Sequence, residues 1–191
     1  MRSALLVCDR AALLKHLRRR FAINWHGDHG AAHWARVRNN GLMIAAATGA
    51  NMAVVELFAF FHDSCRVNEY TDHDHGKRGA DLALKLQGRM FDASADEMNL
   101  LVEACTGHSD GHTEADITVQ TCWDADRLDL GRVGIRLHPK YLCTAVAKEA
   151  GVLNRAYLRS VRQAKRESYF CSRPGLGILY ANGKQLGRKH A

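Results

Sequence analysis

The chain has 191 residues, 47% of them hydrophobic and 25% charged, the balance of an ordinary globular domain with room for one substantial core, which excludes disorder throughout. No run approaches the roughly 18 consecutive apolar residues that a membrane-spanning helix needs, and Asp9 and Arg10 interrupt the short apolar start with no small-residue cleavage site behind it, which speaks against a secretory signal. The net charge of +7 is spread unevenly, with +5 over residues 1–20, +11 over residues 132–191 and −9 over the stretch between them. An acidic centre between basic ends is what a cation-binding core looks like, although carboxylates that merely solvate helix faces give the same count.

In chain order, residues 3–20 predict a basic amphipathic helix that packs through Leu5, Leu6, Leu13, Leu14 and Leu17. Its charged face is either solvated or available to nucleic acid. Residues 21–30 (FAINWHGDHG) read as a loop. The Ala-rich stretch after it predicts a helix over 31–48, whose stripe His33, Val37, Asn40, Ile44 sets His33 at the N-terminal end of a partly buried face. Residues 49–51 break the chain. Residues 52–61 are apolar nearly all round and belong in the middle of the fold. An irregular loop is expected over 64–74 and a helix over 76–89. Ser94-Ala95-Asp96-Glu97 has the spacing of a capping box, followed by a face of Leu101, Cys105 and His108, with Gly107 and Gly111 loosening the exit.

Further helices are expected over 115–130, 140–150 and 152–167, the last two broken at Gly151. A loop, a short hairpin around Asn182-Gly183 and a frayed basic terminus follow. Only two prolines interrupt 191 residues, and the fold class predicted is all-α, a single helical bundle. The six cysteines stand singly, with no C-x-x-C pair. They read as the reduced thiols of a cytoplasmic protein, mostly small core residues.

Eight of the eleven histidines fall between residues 26 and 112. Imidazoles with carboxylates and without a thiolate signature suit a catalytic zinc, iron, nickel or manganese site. His62 and Asp63 make the sharpest case, because they end a helix that is otherwise apolar. A buried polar side chain without a partner costs on the order of a few kcal/mol, and the helix macrodipole favours a cation at that end. Asp126 repeats the argument: it falls in the stripe Val119, Trp123, Asp126, Leu130, where an apolar residue is expected, with a metal or Arg127 as its partner. Asp124 and Asp129 fall on other faces and read as solvated. His33 alone is as well explained as a hydrogen-bonded residue, and His75 and His108, each beside a glycine, as turn or capping residues. His26, His29, His73 and His112 read as structural.

Taken in order, His33 in HWARV, His62–Asp63 in FFHD and Asp126 in DADRLD resemble the HD-domain superfamily of metal-dependent phosphohydrolases. His75-Gly76-Lys77-Arg78-Gly79-Ala80 is similar to the H-P-x-x-G-A element of its two-metal members, with Gly76 in place of proline. His108-Ser109 stands where those members carry His-His, and Arg66 where many carry a lysine three residues after the aspartate. The resemblance covers roughly residues 25–135. It implies an HD-type core there, with a basic N-terminal helix (1–24) and basic C-terminal helices and tail (136–191) outside it.

By carry-over, His33, His62, Asp63 and Asp126 bind a first divalent metal ion (Mn, Fe, Ni, Zn, Co or Mg), and Asp63 bridges to a second held by His75 and His108. Arg66 and Lys77 are the phosphate contacts. The implied reaction is hydrolysis of a phosphomonoester or phosphodiester of a phosphorylated small molecule, a nucleotide above all, by a metal-activated water. Two other readings stand beside it. The same ligands serve HD-type di-iron oxygenases of small alcohols or phosphonates, and the basic ends fit a nucleic-acid-binding module with a structural metal.

Overall fold

The structure, a computed structural model, describes residues 7–171, with side chains described for 8–162. In chain order the helices are α1 (Arg10–Arg20), α2 (Ala31–Thr48), α3 (Met52–Phe61), α4 (His75–Leu86), α5 (Ala95–Gly107), α6 (Ile117–Arg127), α7 (Ala145–Lys148) and α8 (Ala150–Cys171). Short 3-10 turns lie at Leu130–Val133 and Pro139–Tyr141. Two-residue strands β1 (Val7–Cys8) and β2 (Phe91–Asp92) pair antiparallel. The fold is all-α.

The most apolar stretch becomes the axis of the bundle. Asn51 starts α3 by accepting from the amides of Ala53 and Val54, the preferred chemistry of an N-cap. Every residue of α3 from Ala53 to Phe61 is buried, and α2, α4, α5 and α6 all pack on it. Glu56 is the exception to its apolar character: buried, it accepts from Arg10 Nε and Nη2 at 2.7 Å each and from Arg38 Nε at 2.6 Å. A buried carboxylate needs such partners, and these two fasten α1 and α2 to the axis. Leu13 and Leu17 complete the hold of α1 on the main core.

Helix α2 ends where Gly49, at φ 76°, turns left-handed and returns its amide to Ala45, the usual glycine stop. The capping box at Ser94 and Glu97 is formed in both directions. A second, smaller core of Ile44, Leu128, Leu142, Ala147, Val152 and Ala156 joins α7 and α8 to α2.

Three expectations are corrected. Residues 7–8 are strand, because Asp9 caps α1 by accepting from Ala12 at 3.0 Å and so starts the helix at Arg10; Leu5 and Leu6 lie outside the described residues, as does the hairpin at 182–183. The break between the last helices falls at the extended Glu149, and Gly151 lies inside α8. Leu130 belongs to a 3-10 turn beyond α6. Cys8, Cys65, Cys105, Cys122 and Cys143 are free thiols, of which only Cys105 and Cys122 are fully buried. No described helix is long and apolar enough to cross a membrane.

Candidate metal centre

Five helices deliver six polar side chains to one place. The stripe of α2 presents His33, the C-terminal end of α3 presents His62 and Asp63, the first residue of α4 is His75, the end of α5 is His108, and the last turn of α6 carries Asp126. His33, His62, Asp63, His75 and His108 are all buried, whereas the Asp126 side chain is 14% exposed, so the cluster meets solvent on that side.

Within the cluster the nitrogens pair. His33 Nε2 stands 3.0 Å from His62 Nε2, and His75 Nε2 stands 2.9 Å from His108 Nε2. Asp63 lies between the pairs and divides its oxygens. Its Oδ2 is 3.4 Å from His33 Nε2 and 3.5 Å from His62 Nε2, and its Oδ1 is 3.3 Å from His75 Nε2 and 3.9 Å from His108 Nε2. Asp126 Oδ1 joins only the first pair, at 3.3 Å from His33 and 4.0 Å from His62.

The far side of each ring decides what these nitrogens can do. His62 Nδ1 donates to Phe58 O at 3.0 Å and His108 Nδ1 to Cys105 O at 2.7 Å, while His75 Nδ1 donates to Asp72 O. His33 Nδ1 donates to Asp129 Oδ2 at 2.7 Å. Carbonyls and carboxylates accept only, so in each neutral ring the proton is on Nδ1 and Nε2 carries a lone pair. Two lone pairs facing each other at 3 Å cannot hydrogen-bond to one another, but a cation between them satisfies both. Metal–nitrogen bonds of about 2.1 Å meeting near a right angle put two ligand nitrogens about 3 Å apart, and ring orientation by the opposite nitrogen is the usual support of a metal-bound histidine. The residues therefore fit a divalent cation: His33, His62 and Asp63 can hold one, with Asp126 Oδ1 beside the two histidines, and Asp63, His75 and His108 form a second set.

In the metal-free protein a proton takes the cation's place. Burial opposes charge on His33, and so does Arg132, yet hydrogen bonds with Asp126, Asp129 and Asp63 outweigh them and push its pKa up to about 9. Burial holds His62 neutral, with its pKa down to about 3. Asp63 and Asp129 stay ionised against the cost of burial because the protonated His33 for the first, and His33 and Arg36 for the second, draw their pKa values down. Between its ordinary value of 6.5 and about 9, His33 keeps a proton in the folded chain that the unfolded chain has released. Stability from this source is whole below 6.5 and is lost as pH rises through about 9. Metal-free protein should thus lose on the order of 2 kcal/mol of stability by pH 8.5, visible as a falling Tm in chelator, whereas metal-loaded protein should hold its Tm over the same range. A flat metal-free profile would contradict the His33 assignment.

Arg66 joins the cluster as expected. It is buried, with Nη1 3.3 Å from Asp63 Oδ1 and 3.1 Å from His75 Nε2. Lys77 does not: its Nζ pairs with Asp81 at 3.0 Å on the exposed face of α4, because two residues along a helix turn a side chain about 200° away from His75. Gly76 is explained by packing. A Cβ there would lie 2.1 Å from the Cys105 carbonyl oxygen, and one at Gly79 would lie 2.2 Å from that of Phe61. Without side chains at these crossings, α4 comes close enough to α3 and α5 for His75 to reach Asp63 and His108.

The acidic neighbours of Asp126 need the largest revision. Asp124 and Asp129 are buried. Asp124 accepts from the amides of Cys143 and Thr144 and from Thr144 Oγ1 at 2.7–2.8 Å, which anchors the start of α7. Asp129 orients His33 and takes Arg36 Nε at 2.6 Å and Nη2 at 3.0 Å. Arg127 is not the partner of Asp126; it donates to the carbonyls of His112 and Tyr141.

Two further residues flank the site. His29 Nδ1 pairs with Glu69 Oε2 at 2.6 Å, tying the loop before α2 to the loop before α4. Arg132, whose side chain is 6% exposed, donates from Nε to Asp28 O at 2.8 Å and keeps Nη1 3.7 Å from Asp129 Oδ2 with no hydrogen-bond partner. Its 3-10 position carries no periodic signal, and only the large surplus of Arg and Lys after residue 131 hinted at it.

Comparison with known proteins bears on the fold. No protein-family model and no curated protein matches the chain. Among solved structures, the 1.45 Å crystal structure of a predicted HD superfamily hydrolase from an uncultured Thermotogales bacterium superposes with a TM-score of 0.61, at 24% identity over 85% of this chain and 92% of that one. A bundle that sets a His-Asp doublet at the end of its central helix, and superposes on that structure along most of its length, has the HD-domain fold.

Proposed function

We propose that the protein is a metal-dependent phosphohydrolase that cleaves a phosphomonoester or phosphodiester, with nucleotides as the foremost substrate class. One observation carries the reading: Asp63 divides its two oxygens between two converging imidazole pairs, with the buried Arg66 guanidinium beside them. His33, His62, Asp63 and Asp126 would hold a divalent cation, which would lower the pKa of a bound water toward about 7 and supply positive charge for a phosphoryl oxygen.

The chain's own groups do the rest. Asp129 keeps the His33 proton on Nδ1, and the carbonyls of Phe58, Asp72 and Cys105 do the same for the other three rings, so each Nε2 carries a lone pair into the cluster. Arg66 holds fixed positive charge where negative charge gathers on the phosphoryl group, the preorganised kind of stabilisation that is worth most in a buried site. Arg132, held 3.7 Å from Asp129 Oδ2, adds a second positive charge beside the site. Tyr70, whose carbonyl holds Arg66 Nη2 at 2.7 Å, exposes its ring to solvent and offers a face on which a base can stack. A di-iron oxygenase needs two irons sharing Asp63, and the grip of Arg66 on Asp63 Oδ1 and His75 weighs against that alternative.

The test is elemental analysis of purified protein paired with phosphate release from a panel of nucleotides and simple phosphate esters in Mn, Fe, Co, Ni, Zn and Mg. Metal-dependent release, abolished by chelation and restored by one of the ions, is expected. Oxygen uptake with a mixed-valent di-iron signal and no phosphate release would refute the proposal.

A further inference from the structure

The two halves of the site differ in what surrounds their nitrogens. His33 Nε2 and His62 Nε2 face carboxylate oxygens of Asp63 and Asp126. His75 Nε2 and Asp63 Oδ1 face a guanidinium: Arg66 Nη1 lies 3.1 Å from the one and 3.3 Å from the other. The arginine is clamped there, with Nη2 donating to Tyr70 O at 2.7 Å and Nε to Asn68 O at 3.4 Å, and its side chain is 9% exposed.

The chemistry of a neutral imidazole makes this a conflict. His75 Nδ1 donates its proton to Asp72 O, so Nε2 has a single lone pair. That lone pair can accept the Arg66 N–H or bind a metal ion, and it cannot do both. Asp63 Oδ1, the oxygen a second ion would share, is engaged by the same guanidinium nitrogen. A guanidinium stays charged at physiological pH and does not step aside by losing a proton. A second ion must therefore push Arg66 out of its bonds to Tyr70 and Asn68 and remain beside a like charge.

We infer that Arg66 is the resident cation of the half-site formed by Asp63, His75 and His108, so that the protein binds one metal ion tightly, between His33, His62, Asp63 and Asp126, and uses the guanidinium in the electrostatic place of a second. The inference rests on the metal reading given above. It deepens that reading, because a phosphoryl oxygen would then be held between one metal ion and one arginine.

The experiment is a titration of metal-free protein with Mn(II), followed by equilibrium dialysis with elemental analysis and by electron paramagnetic resonance. Wild-type protein should take up one tight equivalent with the six-line signal of an isolated ion, and a second equivalent about 100-fold more weakly. Arg66→Ala, shown to be folded by circular dichroism, should bind the second equivalent about 100-fold more tightly than wild type and give the spectrum of a spin-coupled pair, since a like charge at about 4 Å has been removed. Two equivalents of similar affinity or a coupled pair in wild type would overturn the inference, as would Arg66→Ala protein that still binds only one. Wild-type protein that binds no metal would overturn the metal reading itself and this inference with it. Should Arg66→Ala fail to fold, the stoichiometry and spectrum of the wild-type protein decide.

Discussion

Asp63→Ala protein is expected to bind no metal ion and to lose on the order of 10³-fold or more in phosphate release, since both the activated water and the charge neutralisation depend on the ion. The expectation follows from the position of this one carboxylate. It is buried, follows the C-terminal end of α3 by two residues, and among the described residues is the only group that faces both imidazole pairs. Without it the first half-site keeps Asp126 as its sole negative donor and the second keeps none. The substitution also removes the carboxylate paired with Arg66, so a moderate loss of stability belongs to the same prediction, and circular dichroism must accompany the assay. Elemental analysis decides the outcome: folded Asp63→Ala protein with full metal content and turnover would refute the site.

Asp129→Ala should produce the largest loss of stability and, separately, a loss of metal affinity. The carboxylate is 1% exposed and takes two hydrogen bonds from Arg36 and one from His33, with Arg132 Nη1 at 3.7 Å. Its removal leaves the Arg36 guanidinium buried without a counter-charge, which costs about 3–5 kcal/mol, measurable by denaturant unfolding. His33 loses the acceptor that fixes its tautomer and ring, and changes of this kind behind a metal-bound histidine weaken the metal by about 10–100-fold, measurable by competition with a chromogenic chelator. An Asp129→Ala protein of unchanged metal affinity would show that His33 is oriented by something else. The two readouts separate a residue that merely holds helices together from one that also sets a ligand.

What could be read along the chain and what could not divide on a physical line. The bounds of α2 and α3, the glycine stop at Gly49, the capping box at Ser94 and the misfit of His62–Asp63 at the end of an apolar helix are local facts. They depend on residues within a turn or two of one another, where capping, periodicity and burial cost leave their mark on the sequence. The resemblance of His33, His62–Asp63, His75, His108 and Asp126 to an HD-type set rested on order and spacing alone, and the bundle brings these residues to within a few ångströms of one another.

Asp129 shows where local reasoning stops. Along α6 and its exit it looks like one more solvated acid, yet it is the acceptor for a histidine 96 residues earlier. Asp124, Arg132 and the His29–Glu69 pair were invisible for the same reason, since their partners belong to other elements. Lys77 erred the other way: a basic residue at a helix start faced outward, because the turn from His75 carried it off the site. The position of Arg66 over the second half-site is of this kind as well. Sequence placed it three residues after Asp63, and only the loop through Tyr70 and the crossing of α4 at Gly76 and Gly79 put its guanidinium on the His75 lone pair. The chain by itself therefore determined the helices and the donor atoms, because those are set by short-range chemistry. The packing of the helices decided which donors converge, what orients them and where a cation already stands, because those depend on distances between residues that are neighbours only in the folded chain.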